Sequence, residues 1–154
     1  MINLRRDWPT IMLLTLMYAA ALYTWPSAPA RIASHWNASG QVDGYAGRFA
    51  GLMLMPMIAT VIYLSTGLGP ILKPGRINEP LMRALRIESF AVIMLLAGVL
   101  LVTIATIHGI ALNMNTVVWP MLAIIFVATG NLVLRAAQSK IAELKVAARS
   151  VEKR

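Results

Sequence analysis

The chain has 154 residues, of which 58% are hydrophobic and 13% charged, and its formal net charge is +8. Soluble domains carry about 45–50% apolar and about 25% charged residues, so the composition excludes a large water-soluble enzyme, and it is too apolar for a disordered chain. The absence of cysteine excludes disulfides, thiolate zinc sites and cysteine nucleophiles. The positive charge suits either nucleic acid or a membrane surface, and the positions of the basic residues must decide between them.

Long stretches without Lys, Arg, Asp or Glu dominate the sequence and predict an all-α membrane protein. About 20 helical residues cross a hydrocarbon core of about 30 Å. Four apolar segments meet this requirement, at about 9–26, 50–72, 89–107 and 117–134. We therefore predict one four-helix transmembrane domain over residues 1–134 and a basic tail over 135–154.

The first apolar segment has two interpretations. Arg5 and Arg6 precede it and Ala28-Pro29-Ala30 follows it, as in a signal peptide with a small-residue cleavage site. The apolar run is longer than a signal core, however, and Trp8 and Tyr23 stand where interfacial aromatic residues belong. These features favour a helix that stays in the membrane.

The basic residues predict the orientation. With a cytoplasmic N-terminus, two basic residues before the first segment, four in the second loop (73–88) and six in the tail all lie inside. That is 12 of the 14 basic residues, and only Arg31 and Arg48 lie outside. The positive-inside rule favours this topology, with both termini cytoplasmic. It explains the charge without nucleic acid, for which no recognition motif is present.

The connections carry further signals. Lys73-Pro74-Gly75 is expected to end the second helix, and the third helix is expected to begin well before its apolar part. In the tail, apolar residues recur at helical spacing among Lys and Arg, which predicts a weakly amphipathic, basic cytoplasmic helix. Such a helix would bind anionic lipid, serve as a topology anchor or meet a protein partner.

The outer loop, 27–48, concentrates the polar chemistry of the chain. Asn37 to Gly40 predicts one turn and Asp43-Gly44 a second, with Gly40 and Gly44 supplying positive φ. A short hairpin or compact extracytoplasmic loop fits this pattern. The candidate residues for ligand binding or for shaping the loop are His35, Trp36, Asn37, Gly40, Asp43, Tyr45 and Arg48.

Catalysis has little support in the same loop. His35 and Asp43, joined by His108 at the same membrane face, are weak metal candidates, because a metal site needs three or four ligands. Ser34 and Ser39 stand near His35, but a hydrolase also needs an orienting acid and an activated nucleophile. We therefore expect no cofactor and no enzymatic activity, while a metal-dependent membrane enzyme stays open as an alternative.

The predicted spans are nearly free of polar groups. No ionisable residue falls at mid-depth, which argues against ion-coupled transport by a single copy. Asn131 is the most polar residue of the fourth segment and is expected to form hydrogen bonds between helices. Gly47 and Gly51 form a GxxxG motif, which is weak support for close packing of the second helix.

At the outer loop the sequence resembles a known family. The residues that carry the resemblance are Pro29-x5-His35-Trp36-Asn37-x2-Gly40-x2-Asp43-x-Tyr45, followed by Pro56 in the second segment. Over residues 10–65 they are similar to the uncharacterised membrane domain that opens the Sdp immunity protein (SdpI-like) family. Gly130-Asn131 also resembles a Gly-Asn of the family's C-terminal region, whereas 135–154 has nothing like the Gly-Ile-Arg-Thr-Pro-Trp segment of the longer members.

The resemblance implies a bacterial inner-membrane protein of immunity or sensor type. The best-understood member protects bacteria against a secreted killing peptide and holds a cytoplasmic repressor at the membrane. Carried over to this chain, it implies a secreted peptide or toxin as the outer partner and a cytoplasmic regulator as the inner one. Besides the metal-dependent enzyme, a structural subunit of a membrane complex remains an alternative, and a homo-oligomer is left open.

Overall fold

The computed structural model describes residues 3–72, 79–110 and 112–152. The chain is mostly helical, and its one non-helical element of size is a two-stranded antiparallel sheet within these residues. The expected all-α class therefore holds for the bulk of the protein, and the outer loop is the predicted hairpin. In chain order the elements are α1 (Leu4–Thr24), a 3-10 turn (Trp25–Ser27), β1 (Arg31–Trp36), β2 (Val42–Gly47), α2 (Arg48–Leu72), α3 (Glu79–Ile107) and α4 (Met114–Glu152).

Three of the described helices are long and apolar enough to cross a membrane, as expected of a multi-pass membrane protein. They are Arg48–Leu68, Leu81–Ile107 and Met114–Gln138. The predicted first span, 9–26, lies on α1, whose 21 residues reach about 31 Å. Threonine and tyrosine residues make α1 less apolar than the other three. The count of four spans therefore stays a prediction.

Asn3 starts α1 by capping it. Its side-chain oxygen accepts hydrogen bonds from the backbone N–H groups of Arg5 (3.0 Å) and Arg6 (3.3 Å), which have no partner within the helix. In return, Asp7 accepts the backbone N–H of Asn3 at 2.8 Å. The first turn is thus fixed before the apolar part of the helix begins.

Among the described residues, a hydroxyl contact joins each pair of consecutive helices. Tyr18 Oη lies 3.1 Å from Thr60 Oγ1 between α1 and α2, and Thr66 Oγ1 lies 2.6 Å from Ser89 Oγ between α2 and α3. Thr129 Oγ1 on α4 donates to Glu88 Oε1 on α3 at 2.6 Å. In lipid, where apolar burial does not drive helix association, such contacts contribute about 0.6 kcal/mol each and set the register of neighbouring helices.

The core lies between α1, α2 and α3, and α4 packs on its outside. Ile93 and Leu100 of α3 are fully or almost fully buried, as is Leu52 of α2. A Cβ on Gly98 would come within 2.9 Å of Met121 Sδ, so α4 approaches α3 closely at that point. Much of the apolar part of α4 is exposed, including Phe126, Val127, Val133 and Leu134.

Asn131 and Glu88 differ in where their hydrogen bonds lie. The hydrogen bond that the structure gives Asn131 is within α4, where its Oδ1 accepts Arg135 Nε at 2.9 Å, because residues four apart share a helix face. The interhelical polar role belongs instead to Glu88, seven residues inside the apolar helix Leu81–Ile107. Its Oε2 is buried without a hydrogen-bond partner among the described residues.

The basic tail continues α4 without a break. The helix has 39 residues and spans about 58 Å, which exceeds a hydrocarbon core of about 30 Å. The expected tail helix is therefore present as an extension of the fourth apolar segment.

The expected end of the second helix at Lys73-Pro74-Gly75 lies outside the described residues. Helix α3 begins at Glu79, ahead of its apolar part, as predicted.

The contacts place the connections at two opposite ends of the bundle. The hairpin β1–β2 and the α3–α4 connection (108–113) touch each other, and we call this the hairpin end. The start of α1, the end of α2 and the start of α3 surround one cavity, and we call this the basic end. The helices therefore alternate in direction, and the hairpin end corresponds to the predicted outer face.

Candidate ligand-recognition hairpin

The hairpin is irregular where its polar residues stand. Arg31 pairs with Gly47 and Trp36 with Val42, but the register shifts on both sides of His35, which pairs with Gly44. The residues that the pairing skips are Ser34 on β1 and Asp43 on β2, one on each side of the His35–Gly44 pair. Irregularities of this kind break the regular alternation of side chains along the strands.

Asn37 shapes the turn that closes the hairpin. Its Oδ1 accepts the backbone N–H groups of Ser39 and Gln41, both at 3.0 Å. Its backbone N–H donates to Gln41 O at 2.8 Å, and its carbonyl accepts the N–H of Gly40 at 2.8 Å. Short amide side chains favour turns by this replacement of backbone partners. The predicted turn at Asn37 to Gly40 is confirmed.

The two loop glycines serve different purposes. Gly40 has φ +78°, the left-handed conformation that glycine adopts without strain, as predicted. Asp43-Gly44 is not a turn, because both residues lie in β2, and the positive φ expected for Gly44 is wrong. Gly44 instead leaves room: a Cβ there would stand 2.7 Å from the Cβ of His35.

The start of α4 holds the turn in place. Asn115 Nδ2 donates to the carbonyl of Ala38 at 3.0 Å. Asn113 Oδ1 accepts the backbone N–H of Asn115 at 2.9 Å, and a Cβ on Gly40 would approach that oxygen within 2.8 Å. The sequence marked Asn113 and Asn115 only as a polar interruption between two spans, and their contact with residues 77 positions away is a tertiary feature.

The base of the hairpin is packed on α2. Ile32 is buried, and a Cβ on Gly51 would lie 2.8 Å from the Cβ of Ile32. Nothing lies within 4 Å of a Cβ on Gly47. The GxxxG motif therefore does not form a helix–helix seam; its second glycine admits a strand residue, and its first is open.

Aromatic contacts flank this base. The rings of Trp25 and Phe49 meet edge to face with centroids 6.5 Å apart. The guanidinium of Arg31 lies 5.2 Å from the centre of the Tyr45 ring, within range of a cation–π interaction. The first pair joins the chain before β1 to the start of α2, and the second joins β1 to β2, so both tie the two sides of the hairpin base together.

His35 and Asp43 form the polar centre of the hairpin. His35 Nδ1 lies 2.5 Å from Asp43 Oδ1, across the two strands. The His35 side chain is 72% exposed and that of Asp43 is 43% exposed. The contact fixes one ring nitrogen, so the other nitrogen of His35 remains available to an external group.

The metal interpretation lacks its third ligand. His108 is exposed just after α3, and among the described residues no three His, Asp or Glu side chains are grouped to hold a metal ion. Ser39 donates its backbone N–H to Asn37 rather than its hydroxyl to His35. The described residues therefore bring His35 and Asp43 together and leave His108 apart.

The other predicted site residues have separate places. Trp36 ends β1 half-buried, Tyr45 is exposed on β2, and Arg48 is the first residue of α2. The structure thus gathers the site around three strand and turn residues, His35, Asn37 and Asp43.

One family comparison covers this region. The family described as a domain of unknown function (DUF1648) matches residues 11–60, which comprise most of α1, the hairpin and the first half of α2. Comparison with curated proteins finds no match, and neither does comparison with solved structures. The matched family carries no described activity. It therefore agrees with an uncharacterised membrane domain at the place where the sequence resemblance lies, and it lends no support to Sdp immunity as such.

Proposed function

We propose that the protein is a non-enzymatic immunity or sensor protein of the bacterial cytoplasmic membrane. Its hairpin faces outward and recognises a peptide or another ligand of the cell envelope. The observation that carries the proposal is the exposed His35–Asp43 pair, presented on a hairpin whose shape other residues hold. In a chain so poor in polar groups, this pair is the best-defined polar feature outside the apolar helices.

Preorganisation supports recognition. The turn is closed by Asn37, tied to α4 by Asn115 and seated on α2 at Gly51. A ligand that binds a surface already ordered in this way does not bear the entropy loss of ordering it. None of these holding contacts uses the exposed ring nitrogen of His35, so shape and recognition reside in different side chains.

The placement of charge supports the orientation. The hairpin end carries few basic residues, whereas the second loop and the tail carry most of them. By the positive-inside rule the hairpin then faces out, and the basic surface meets anionic lipid or a cytoplasmic regulator.

A structural subunit is the second candidate, and α4 favours it. Phe126 and Val127 are 82% and 71% exposed on an apolar helix that packs mainly against α3 within the described residues. Lipid or a second subunit would cover this face. Under this candidate, changes on α4 and not on the hairpin would abolish function.

The test separates recognition from loop shape. Cells lacking the chain are complemented with wild type, with His35→Ala/Asp43→Ala or with the exposed control Ser34→Ala, and exposed to the peptide fraction of spent medium from their own culture. We expect the double variant to lose protection at wild-type protein levels and the control to keep it. Full protection by the double variant would reduce the pair to a structural contact and contradict the proposal.

A further inference from the structure

The basic end contains a cavity that the hairpin function does not use. It has a volume of about 600 Å³ and lies between the start of α1, the end of α2 and the start of α3. Arg83, Arg86, Tyr63 and Ser89 supply its polar wall, and Pro9 and Phe90 are among its apolar residues. A cavity of this volume is large enough for a small-molecule or headgroup ligand.

The charge balance of the cavity favours an anion. Among the described residues, three arginines and two carboxylates line it. Arg6 pairs with Asp7 at 2.9 Å from Nε to Oδ1, and Arg86 also lies near enough to Asp7 for their charges to interact. The described lining still holds one more guanidinium than carboxylates. Neither Arg83 nor Arg86 forms an ion pair or hydrogen bond with a described residue. They stand three positions apart on one helix face, a spacing at which two guanidinium groups can converge on one phosphate.

A further donor in the same wall lacks an acceptor. Tyr63 Oη is buried and has no hydrogen-bond partner among the described residues. A buried hydroxyl without a partner destabilises the fold, and a ligand oxygen that accepts its hydrogen bond would relieve that cost. The cavity therefore offers two guanidinium groups and a hydroxyl donor.

The depth of these groups indicates where the ligand comes from. Arg83 and Arg86 are the third and sixth residues of the apolar helix Leu81–Ile107. At 1.5 Å per residue they lie within about 8 Å of its end, at the level of lipid headgroups. Phe90 continues the wall toward the hydrocarbon, so a ligand with a phosphate and an apolar body fits better than a free ion.

We propose that this cavity is a binding site for the phosphate group of an anionic phospholipid from the adjoining leaflet. Arg83 and Arg86 bind the phosphate oxygens, Tyr63 donates its hydroxyl, and the apolar wall contacts the glycerol and the first part of the acyl chains. Basic pockets between membrane helices bind anionic headgroups in this way. The site does not depend on what the hairpin recognises.

Native mass spectrometry of the purified protein, titrated with phosphatidylglycerol, tests the site. We expect Arg83→Gln/Arg86→Gln to weaken binding about tenfold, as the loss of charge-assisted hydrogen bonds predicts. The control Lys140→Gln/Lys145→Gln removes two charges from the tail and should leave binding unchanged. Equal losses in both double variants would show general surface attraction and overturn the site.

A third variant and two competing ligands test the hydroxyl donor and the lipid nature of the ligand. Tyr63→Phe removes only the unpartnered hydroxyl, so it should fold as well as wild type yet bind phosphatidylglycerol several-fold more weakly; unchanged binding would overturn the proposed donor set. Inorganic phosphate and phosphatidylcholine are titrated in parallel. Displacement of phosphatidylglycerol by millimolar inorganic phosphate would assign the cavity to a free phosphate compound and contradict a lipid ligand.

Discussion

At the hairpin end, polar side chains bond to one another and to the backbone, whereas at the basic end Arg83 and Arg86 line a cavity and form no ion pair or hydrogen bond with a described residue. The difference follows from chain connectivity. The hairpin end is built from a short loop whose residues are close in sequence, so Asn37 finds its partners within four positions. The walls of the basic end come from three helices that meet there, and long basic side chains stand between them.

This comparison shows how one bundle separates two tasks. A rigid hairpin suits recognition of a shape, because its groups are already oriented. A cavity with charged groups and an unpartnered hydroxyl suits a ligand that completes it. Between the two ends, the described residues join each neighbouring pair of helices by a hydroxyl contact.

The largest expected effect on stability comes from disturbing the contact between the base of the hairpin and α2. Gly51→Val places a branched side chain against Ile32, where even a Cβ would lie 2.8 Å away. Overpacking of this kind costs about 3 kcal/mol. We expect a large fall in the thermal unfolding midpoint in detergent. Gly47→Val, at a site with nothing within 4 Å, is the matched control, and equal behaviour of the two variants would mean that the hairpin is not seated as described.

The tie between the turn and α4 should have a moderate effect. Asn115→Ala removes the hydrogen bond to Ala38 O while leaving the backbone cap at Asn113 intact. The loss is about 1 kcal/mol, which would speed hydrogen exchange of the turn amides several-fold. Exchange at residues 38–41 is measured by mass spectrometry, with the exposed Thr116→Ala as control. Unchanged exchange would show that the hairpin holds its shape without α4.

The smallest expected effect on stability comes from removing the charge of Asp7 at the basic end. Burial raises the pKa of the Asp7 carboxyl, but hydrogen bonds from Arg6 and from the backbone of Asn3, with the nearby charge of Arg86, hold that pKa below its usual 3.8. A lowered folded-state pKa stabilises the fold above about pH 3.8 and loses this contribution as the pH falls further. The gap in unfolding midpoint between wild type and Asp7→Asn should therefore be present at about pH 6 and shrink below about pH 3.8. A gap independent of pH would assign the effect of Asp7 to something other than its charge.

Much of the hairpin was predictable, because its chemistry is local. The residue types of Asn37 and Gly40 predict a turn, and the structure has a turn at that place. Asp43-Gly44 looked like a second turn for the same reason, but pairing with β1 keeps both residues in a strand, and Gly44 is required by the bulk of His35 instead. Residue type reports a local preference, and strand pairing overrides it.

The contacts across the bundle were not predictable in the same way. Asn131 was the obvious polar residue of its helix, yet it bonds to Arg135 one turn away, while Thr129 reaches Glu88. Which of two nearby polar residues faces a neighbour depends on the rotation of the helix. An apolar helix with a weak polar face does not encode that rotation in its sequence pattern.

The sequence by itself determined the apolar helical segments, the skewed placement of basic residues and the turn at Asn37, since these depend on composition and on neighbours along the chain. Only the tertiary structure decided that His35 meets Asp43 without His108, that Asn115 holds the turn, and that Arg83, Arg86 and Tyr63 surround one cavity. The physical reason is distance along the chain. Groups far apart in sequence meet only when helix packing fixes their relative height and rotation.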